Sequence, residues 1–355
     1  MPDIPTDSHY MQLPREVLVG SYVATSVGDT VGRLGFTGPA LVVTGPHVMS
    51  IAANTVIASL TKAGFKAPVI VAETATDTQV AKVREEIGRV KPDIVVGVGG
   101  GKDIDVAKLS SMKSATEFVS VPTAASHDGI ASPVVSIKSA DRPYSHVAQA
   151  PIAIIADTSI IARSPYRLIA AGCGDVVAKY TAVRDWKLAH RIKNEYYGDY
   201  AAELALMSSR LVIRNASSIR AMSNSGVHTL VEALISCGVA MSIAGTSRPC
   251  SGAEHLFSHA LTMIAPKPAL HGEQCGVGTI MCAYLHGANW QLIKDVLHRI
   301  GAPTTAQELG VEPKHIIEAL TRAHSIRPER YTILGESGLA KAAAEKVASI
   351  TGVIN

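Results

Sequence analysis

Charge and aromatic side chains are what this chain has least of. Of its 355 residues 18% are Asp, Glu, Lys or Arg and 5% are Phe, Trp or Tyr. The 33 basic and 30 acidic residues nearly cancel, leaving a net charge of +3. A charge this small and dispersed argues against a nucleic-acid binder or an anionic membrane surface, and so few aromatics leave little for base stacking. Cysteine is scarce: Cys173, Cys237, Cys250, Cys275 and Cys282 make an odd count with no CxxC. That is the pattern of reduced, buried thiols in a cytoplasmic protein rather than of a disulfide scaffold. The opening stretch, MPDIPTDSHYMQLPREV, has no apolar signal core. The long uncharged runs at 34–61 and 274–293 are broken by Gly-Pro pairs, or by Gln, His and glycines. They read as buried elements, and no membrane insertion is expected. No internal repeat or low-complexity tract is present.

What is abundant is apolar surface. At 47% hydrophobic, the chain excludes wholesale disorder, and its length suits about two domains with cores that need no staple. In the first half, short apolar runs alternate with helical stretches. Residues 40–44, 67–72, 93–98, 117–121 and 152–156 read as strands; 48–63, 77–90 and 103–112 read as helices. Strands apolar on both faces, with helices between them, predict a parallel sheet covered on both sides. Residues 133–147 look like an inserted hairpin. Beyond residue 161 helix formers take over, with apolar residues at helical spacing in 199–219, 227–242 and 252–264. The expected boundary is near 162: residues 1–162 form an α/β Rossmann-like dinucleotide-binding domain and 163–355 an all-α domain for metal and substrate.

Four motifs carry possible chemistry. Gly97-Val-Gly99-Gly100-Gly101-Lys102-Asp103 follows a strand and opens a helix. Glycines admit a phosphate close to the backbone, and a helix N-terminus offers free N–H groups; the plainer reading is a tight turn. Thr123-Ala124-Ala125-Ser126-His127-Asp128, again after a strand, could line a nicotinamide or ribose site or be an ordinary turn. Its consecutive Ser, His and Asp diverge and make no triad. His255, His259, His271 and His286 crowd into 32 of the residues. His255 and His259, four apart, share a helix face; Glu254, beside them, is expected to point elsewhere. With Asp175, expected at the start of a helix, these side chains could hold a divalent metal with positions left open, or the histidines could be structural. Last, Ser247-Arg248-Pro-Cys-Ser251-Gly252 precedes that histidine helix. Arg248 and the 251–252 turn could bind a phosphate, or Ser251 could simply cap the helix.

Together these residues resemble the sn-glycerol-1-phosphate dehydrogenases. That branch belongs to the superfamily of glycerol dehydrogenase, the iron-dependent alcohol dehydrogenases and dehydroquinate synthase. The resemblance spans residues 20–345 and is most specific over Ser251-Gly-Ala-Glu-His255-Leu-Phe-Ser-His259; Cys250 stands where a small residue such as Ala is expected. It implies an active site in the cleft between an N-terminal Rossmann-like domain and a helical C-terminal one. It implies Zn2+ (Fe2+ or Ni2+ suit the same ligands) held by Asp175, His255 and His271. It places substrate near Asp128, Asp175 and His259, and NAD(H) or NADP(H) along Gly99 to Asp103, along Thr123 to Ser126 and near Ser132.

The implied reaction is the reversible reduction of dihydroxyacetone phosphate to sn-glycerol 1-phosphate, the glycerophosphate backbone of archaeal-type membrane lipids. Asp128, Asp175 and His259 would be its catalytic groups, and Arg248 is expected to hold the substrate phosphate. Two rivals share the superfamily: a glycerol or polyol dehydrogenase, and a lyase of the dehydroquinate synthase kind. A non-catalytic binding protein is the third. The low charge also points to a homo-oligomer.

Overall fold

The computed structural model describes residue 9, residues 11–138 and residues 143–354. Most of the N-terminal stretch read above for a signal core, and the turn of the expected hairpin, lie outside the described residues. The rest divides into two compact units. The first holds the chain up to Ala125, then Gly129–Ser164 and Met241–Thr246; the second holds Ser126–Asp128, Pro165–Ala240 and Ser247–Asn355.

Among the described residues of the first unit, six strands form a parallel sheet. They are β1 (Glu16–Gly20), β2 (Ala40–Thr44), β3 (Val69–Val71), β4 (Ile94–Gly99), β5 (Glu117–Pro122) and β8 (Ala153–Asp157), in the order β1-β8-β5-β4-β2-β3. Strands β6 (Val134–Lys138) and β7 (Pro143–Val147) pair antiparallel as the expected hairpin. Alternation along the strands sorts the core into two layers. Val42, Val96, Val98, Val119 and Ile155 pack with Val27, Val31, Val56 and Leu60 on one face. Leu41, Val43, Val95 and Phe118 pack with Val80, Val83, Ile87, Ile104 and Ala107 on the other. Burial on both faces is why β2, β4 and β8 read as unbroken apolar runs. Strand β1 was not anticipated. It is an edge strand, paired only with β8, and its side chains are exposed or half-buried, so five residues carried too little apolar signal.

The chain leaves β2 outward to β3, then crosses back to β4 on the other side of β2. That reversal makes the carboxyl ends of β2 and β4 a topological switch point, the usual ligand crevice of an open α/β sheet.

The second unit is helical. Residues 199–219 break at Asn215 into Asp199–Arg214 and Ala216–Arg220. Asn224–Ala244 is long and apolar enough to cross a membrane, yet 67% of its most apolar window is buried inside the protein, as in a core helix. All five cysteines are buried and none forms a disulfide.

Candidate active site

In the first unit the glycine turn lies at the switch point. Gly99 ends β4 at φ +154°, and a Cβ there would meet the Asp103 carboxylate at 2.2 Å. Only glycine therefore fits. The Asp103 carboxylate accepts from Gly100 N (3.2 Å), closing the first turn of helix Gly101–Lys113. Lys102 Nζ reaches back to the carbonyls of Ala72 and Glu73 beyond β3. Thr123 N bonds Gly99 O, tying the two strand-end loops together. Thr123, Ala124, Ala125 and Ser132 are buried, and the Ser132 carbonyl accepts from the buried Lys108 ammonium together with Gly129 O and Val134 O. The structure thus gathers Gly99, Gly100, Gly101, Lys102, Asp103 and Thr123 at the carboxyl end of β4.

The second unit brings Asp175, His255 and His271 together. Asp175 lies in the last turn of helix Tyr166–Val177, not at the start of a helix as its Gly172-Cys-Gly174 lead-in suggested. Gly174 marks a helix contact. A Cβ on Gly174 would lie 2.2 Å from Gly272 O, and one on Gly272 would lie 1.9 Å from Ala171 O. This close approach sets Asp175 against His271, the first residue of helix His271–Leu285. Gly272→Ala is expected to cost about 1–3 kcal/mol or more, because the clash is with backbone that cannot move aside, and to lower metal content. Gly88→Ala, at an exposed helix position with nothing within 4 Å, should instead gain about 0.5–1 kcal/mol. Denaturant unfolding of both variants checks the contrast.

Each imidazole is aimed by a bond at Nδ1. His255 Nδ1 lies 2.8 Å from Glu254 Oε1. A carboxylate only accepts, so Nδ1 carries a proton and Nε2 is the ring atom turned toward Asp175. Glu254 also takes Gly252 N and the Thr181 hydroxyl; far from pointing elsewhere, it orients the neighbouring histidine. His271 Nδ1 lies 3.1 Å from the Ser258 hydroxyl, whose proton goes to Gln274 Oε1. The two Nε2 atoms stand 3.3 and 4.0 Å from Asp175 Oδ1. Ligand atoms of Asp175, His255, His271 and Cys275 all lie within 4.8 Å of one another. Acceptors converging with their tautomers set by neighbours fit a divalent metal.

Charge around the site is shared tightly. Burial would raise the Asp175 carboxyl, but Lys179, His255 and His271 together hold it well below the usual range. Burial would lower His255, but Cys275, Asp175 and Glu254 outweigh it and hold it well above. Burial raises the Cys275 thiol, yet His255 and His271 bring it down to about 7. Lys179 Nζ, fully buried, lies 2.7 Å from Asp128 Oδ2 and 3.0 Å from Asp175 Oδ1, and Asp128 N donates to Asp175 Oδ2 (2.8 Å). Asp128 thereby joins this cluster. So does His259, whose ring is 5.7 Å from that of His271. Burial, reinforced by His271, His255, Arg327 and Arg330, holds His259 well below its ordinary value, neutral near pH 7.

Two members of the expected set go elsewhere. His286 Nε2 bonds Asp185 (3.0 Å), apart from the other histidines. Arg248 is buried, and its fork is closed by the Glu195 carboxylate and the Tyr331 carbonyl. The 251–252 turn is no phosphate cradle either: Gly252 N bonds Glu254, Ala253 N bonds Asp185 Oδ2 (2.7 Å), and Ser251 does not cap the helix. Sequence reasoning missed Lys179 and Cys275. Each sits four residues after a candidate ligand, Asp175 and His271, a same-face spacing that a count of histidines does not weigh.

The family model for iron-containing alcohol dehydrogenase matches residues 19–165. The chain is 57% identical over 346 residues to the glycerol-1-phosphate dehydrogenase (NAD(P)+) of Methanosarcina barkeri, covering 98% of this chain and 97% of the relative. It is 53% identical over 348 residues to the enzyme of that name from Methanothermobacter thermautotrophicus, covering 98% and 100%. Among solved structures, glycerol dehydrogenase from Schizosaccharomyces pombe has a TM-score of 0.80 at 20% identity, covering 97% of this chain and 90% of that one; it shares the fold. The chain belongs to the glycerol-1-phosphate dehydrogenase family.

Proposed function

We propose that this protein reduces dihydroxyacetone phosphate to sn-glycerol 1-phosphate with NADH or NADPH, reversibly, and so supplies the glycerophosphate backbone of archaeal-type lipids. What carries the reading is the convergence of Asp175, His255 and His271 beside Asp128 and His259, in a chain 57% identical to an enzyme of that name. The dinucleotide would lie on Gly99, Gly100, Gly101, Lys102 and Asp103, with Thr123, Ala124, Ala125, Ser126 and Ser132 lining its far end. Residues 1–162 would form the cofactor domain and residues 163–355 the metal and substrate domain. Asp175, His255 and His271 would hold the metal. Cys275, a soft donor within reach, favours zinc over harder cations.

When bound, the metal supplies Lewis-acid polarisation of the ketone and the nicotinamide supplies the hydride. The chain's residues do the rest. Asp175 and Asp128, held by Lys179, accept hydrogen bonds from the substrate hydroxyl and fix the carbonyl carbon relative to the hydride donor. His259, neutral near pH 7, sits one turn from His255 and can hold or pass on the proton that the new alcohol oxygen takes up.

Purified protein should oxidise NADH or NADPH only when dihydroxyacetone phosphate is added. Activity should fall to background after chelation and return with Zn2+. Faster turnover of unphosphorylated dihydroxyacetone would instead identify a polyol dehydrogenase, and product formation with no net NADH loss a lyase. Chiral analysis of the product decides its configuration.

A further inference from the structure

Helix Asp199–Arg214 carries its apolar residues the wrong way round for a helix that faces only water. It packs against helices Tyr166–Val177 and Lys179–Lys193, yet its buried side is made of small residues: Ala201, Ala202, Ala205, Ser208, Ser209 and Val212. The larger apolar side chains lie on the opposite side. Tyr200 is 76% exposed, Met207 49% and Leu211 39%, with Leu204 half-buried among them. Positions 200, 204, 207 and 211 step by four and three, so they form one stripe along the helix, the spacing of a helix–helix seam. Just ahead of the helix, Ile192 and Tyr196 are exposed too. Residues 192–211 thus hold five of the fifteen exposed large hydrophobic side chains among the described residues, where an even spread would place about one. Exposed apolar surface gathered in this way marks a contact with another chain.

Charge decides which chain that is. Glu203 and Arg210 flank the stripe on one side, both mostly exposed, and within the helix they meet only at 3.7 Å. A second copy of the helix, laid antiparallel across a twofold axis, brings Tyr200 over the second copy's Leu211 and Leu204 over its Met207. The charged flanks then face each other. Glu203 of each copy comes level, to within one turn, with Arg210 of the other, so opposite charges meet at both ends of the seam. A parallel copy would turn this flank toward residues 201 and 208, which are already buried in their own subunit. We propose that helix Asp199–Arg214 is a self-docking surface, through which two copies of this chain pair antiparallel. Tyr200, Leu204, Met207 and Leu211 form the seam, and two Glu203–Arg210 pairs close its ends. The catalytic reading above plays no part in this pairing, and either can fail without the other.

Sedimentation velocity of the full-length chain over about a hundredfold range of concentration reads the assembly, with circular dichroism as the check on the fold. Met207→Lys, which puts a charge at the centre of the seam, should halve the wild-type mass. Glu203→Arg and Arg210→Glu, each alone, set like charges against like at both ends, and each should weaken association at least about tenfold. Mixed in equal amounts, these two variants should associate as wild type does, because the cations of one then face the anions of the other. Events within a single helix cannot produce that recovery, since each chain still carries two like charges. A wild-type chain that is monomeric throughout the range would overturn the proposal and leave the stripe to a different partner. So would an unchanged mass for Met207→Lys, or charge variants that associate no better mixed than alone. If Met207→Lys does not fold, the two charge variants, at exposed positions, decide the matter by themselves.

Discussion

Replacing His271 by alanine should strip the metal and reduce NADH oxidation by about a thousandfold or more, with the fold intact. The three other members of the group are buried, and truncating any of them would open a cavity or leave a buried charge. His271 has a side chain 37% exposed at the first position of its helix, so water can replace it. Glu273, two residues on, keeps the helix start in place: it accepts Leu270 N (2.9 Å) and forms a bidentate pair with Arg167 (2.6 and 2.7 Å). Metal analysis after dialysis and circular dichroism read the two effects separately. A folded His271→Ala protein, free of metal and fully active, would remove the metal from the reaction.

Lys179→Met should be the most destabilising single change near the site. The ammonium is fully buried and bridges two carboxylates; removing one partner of such a group costs about 3–5 kcal/mol, because the charges left behind are neither hydrated nor paired. The pH dependence follows from the shifts. Burial opposes the Lys179 charge, but Asp128 and Asp175 outweigh it and hold the group well above 10.5. Its contribution is therefore complete at neutral pH and lost only as pH rises through the folded-state value. The Asp175 carboxyl, held well below 3.8, contributes above that value and loses its contribution as pH falls through the folded-state value. Without Lys179 the Asp175 carboxyl loses the largest of the charges that offset its burial and protonates more readily. The deficit of the variant in urea unfolding should be largest near pH 7 and narrow toward pH 4. A deficit that stays constant across this range would show that the ammonium acts by packing alone.

Much of the fold was legible because its signals are local. Strands β2, β4 and β8 are buried on both faces, so each appears as a short run of Val, Ile, Leu and Ala. Helix Asp77–Val90 announces itself by Thr76 as its cap, accepting from Gln79 N, and by Val80, Val83 and Ile87 at helical spacing. The metal group was legible in part, since His255 and His259 share a helix and His271 opens the next. What misled was context that residue type does not carry. Asp175 read as a helix start because the glycines before it are poor helix formers, yet Gly172 and Gly174 lie inside a helix, and at Gly174 backbone approaches backbone. Arg248 read as an anion ligand because arginine beside a helix N-terminus usually is one. Glu195, 53 residues away, closes its fork.

The sequence alone determined the parallel-sheet architecture, the glycine turn as a cofactor candidate and the pairing of His255 with His259 on one helix face, because each is written in residue types at short, regular spacing. The tertiary structure alone decided which charges meet. It set Lys179 between Asp128 and Asp175, turned Glu254 onto His255, and closed the fork of Arg248 with Glu195. Pairing of buried charges depends on distances between segments far apart in the chain, and burial makes each such pairing matter by several kcal/mol.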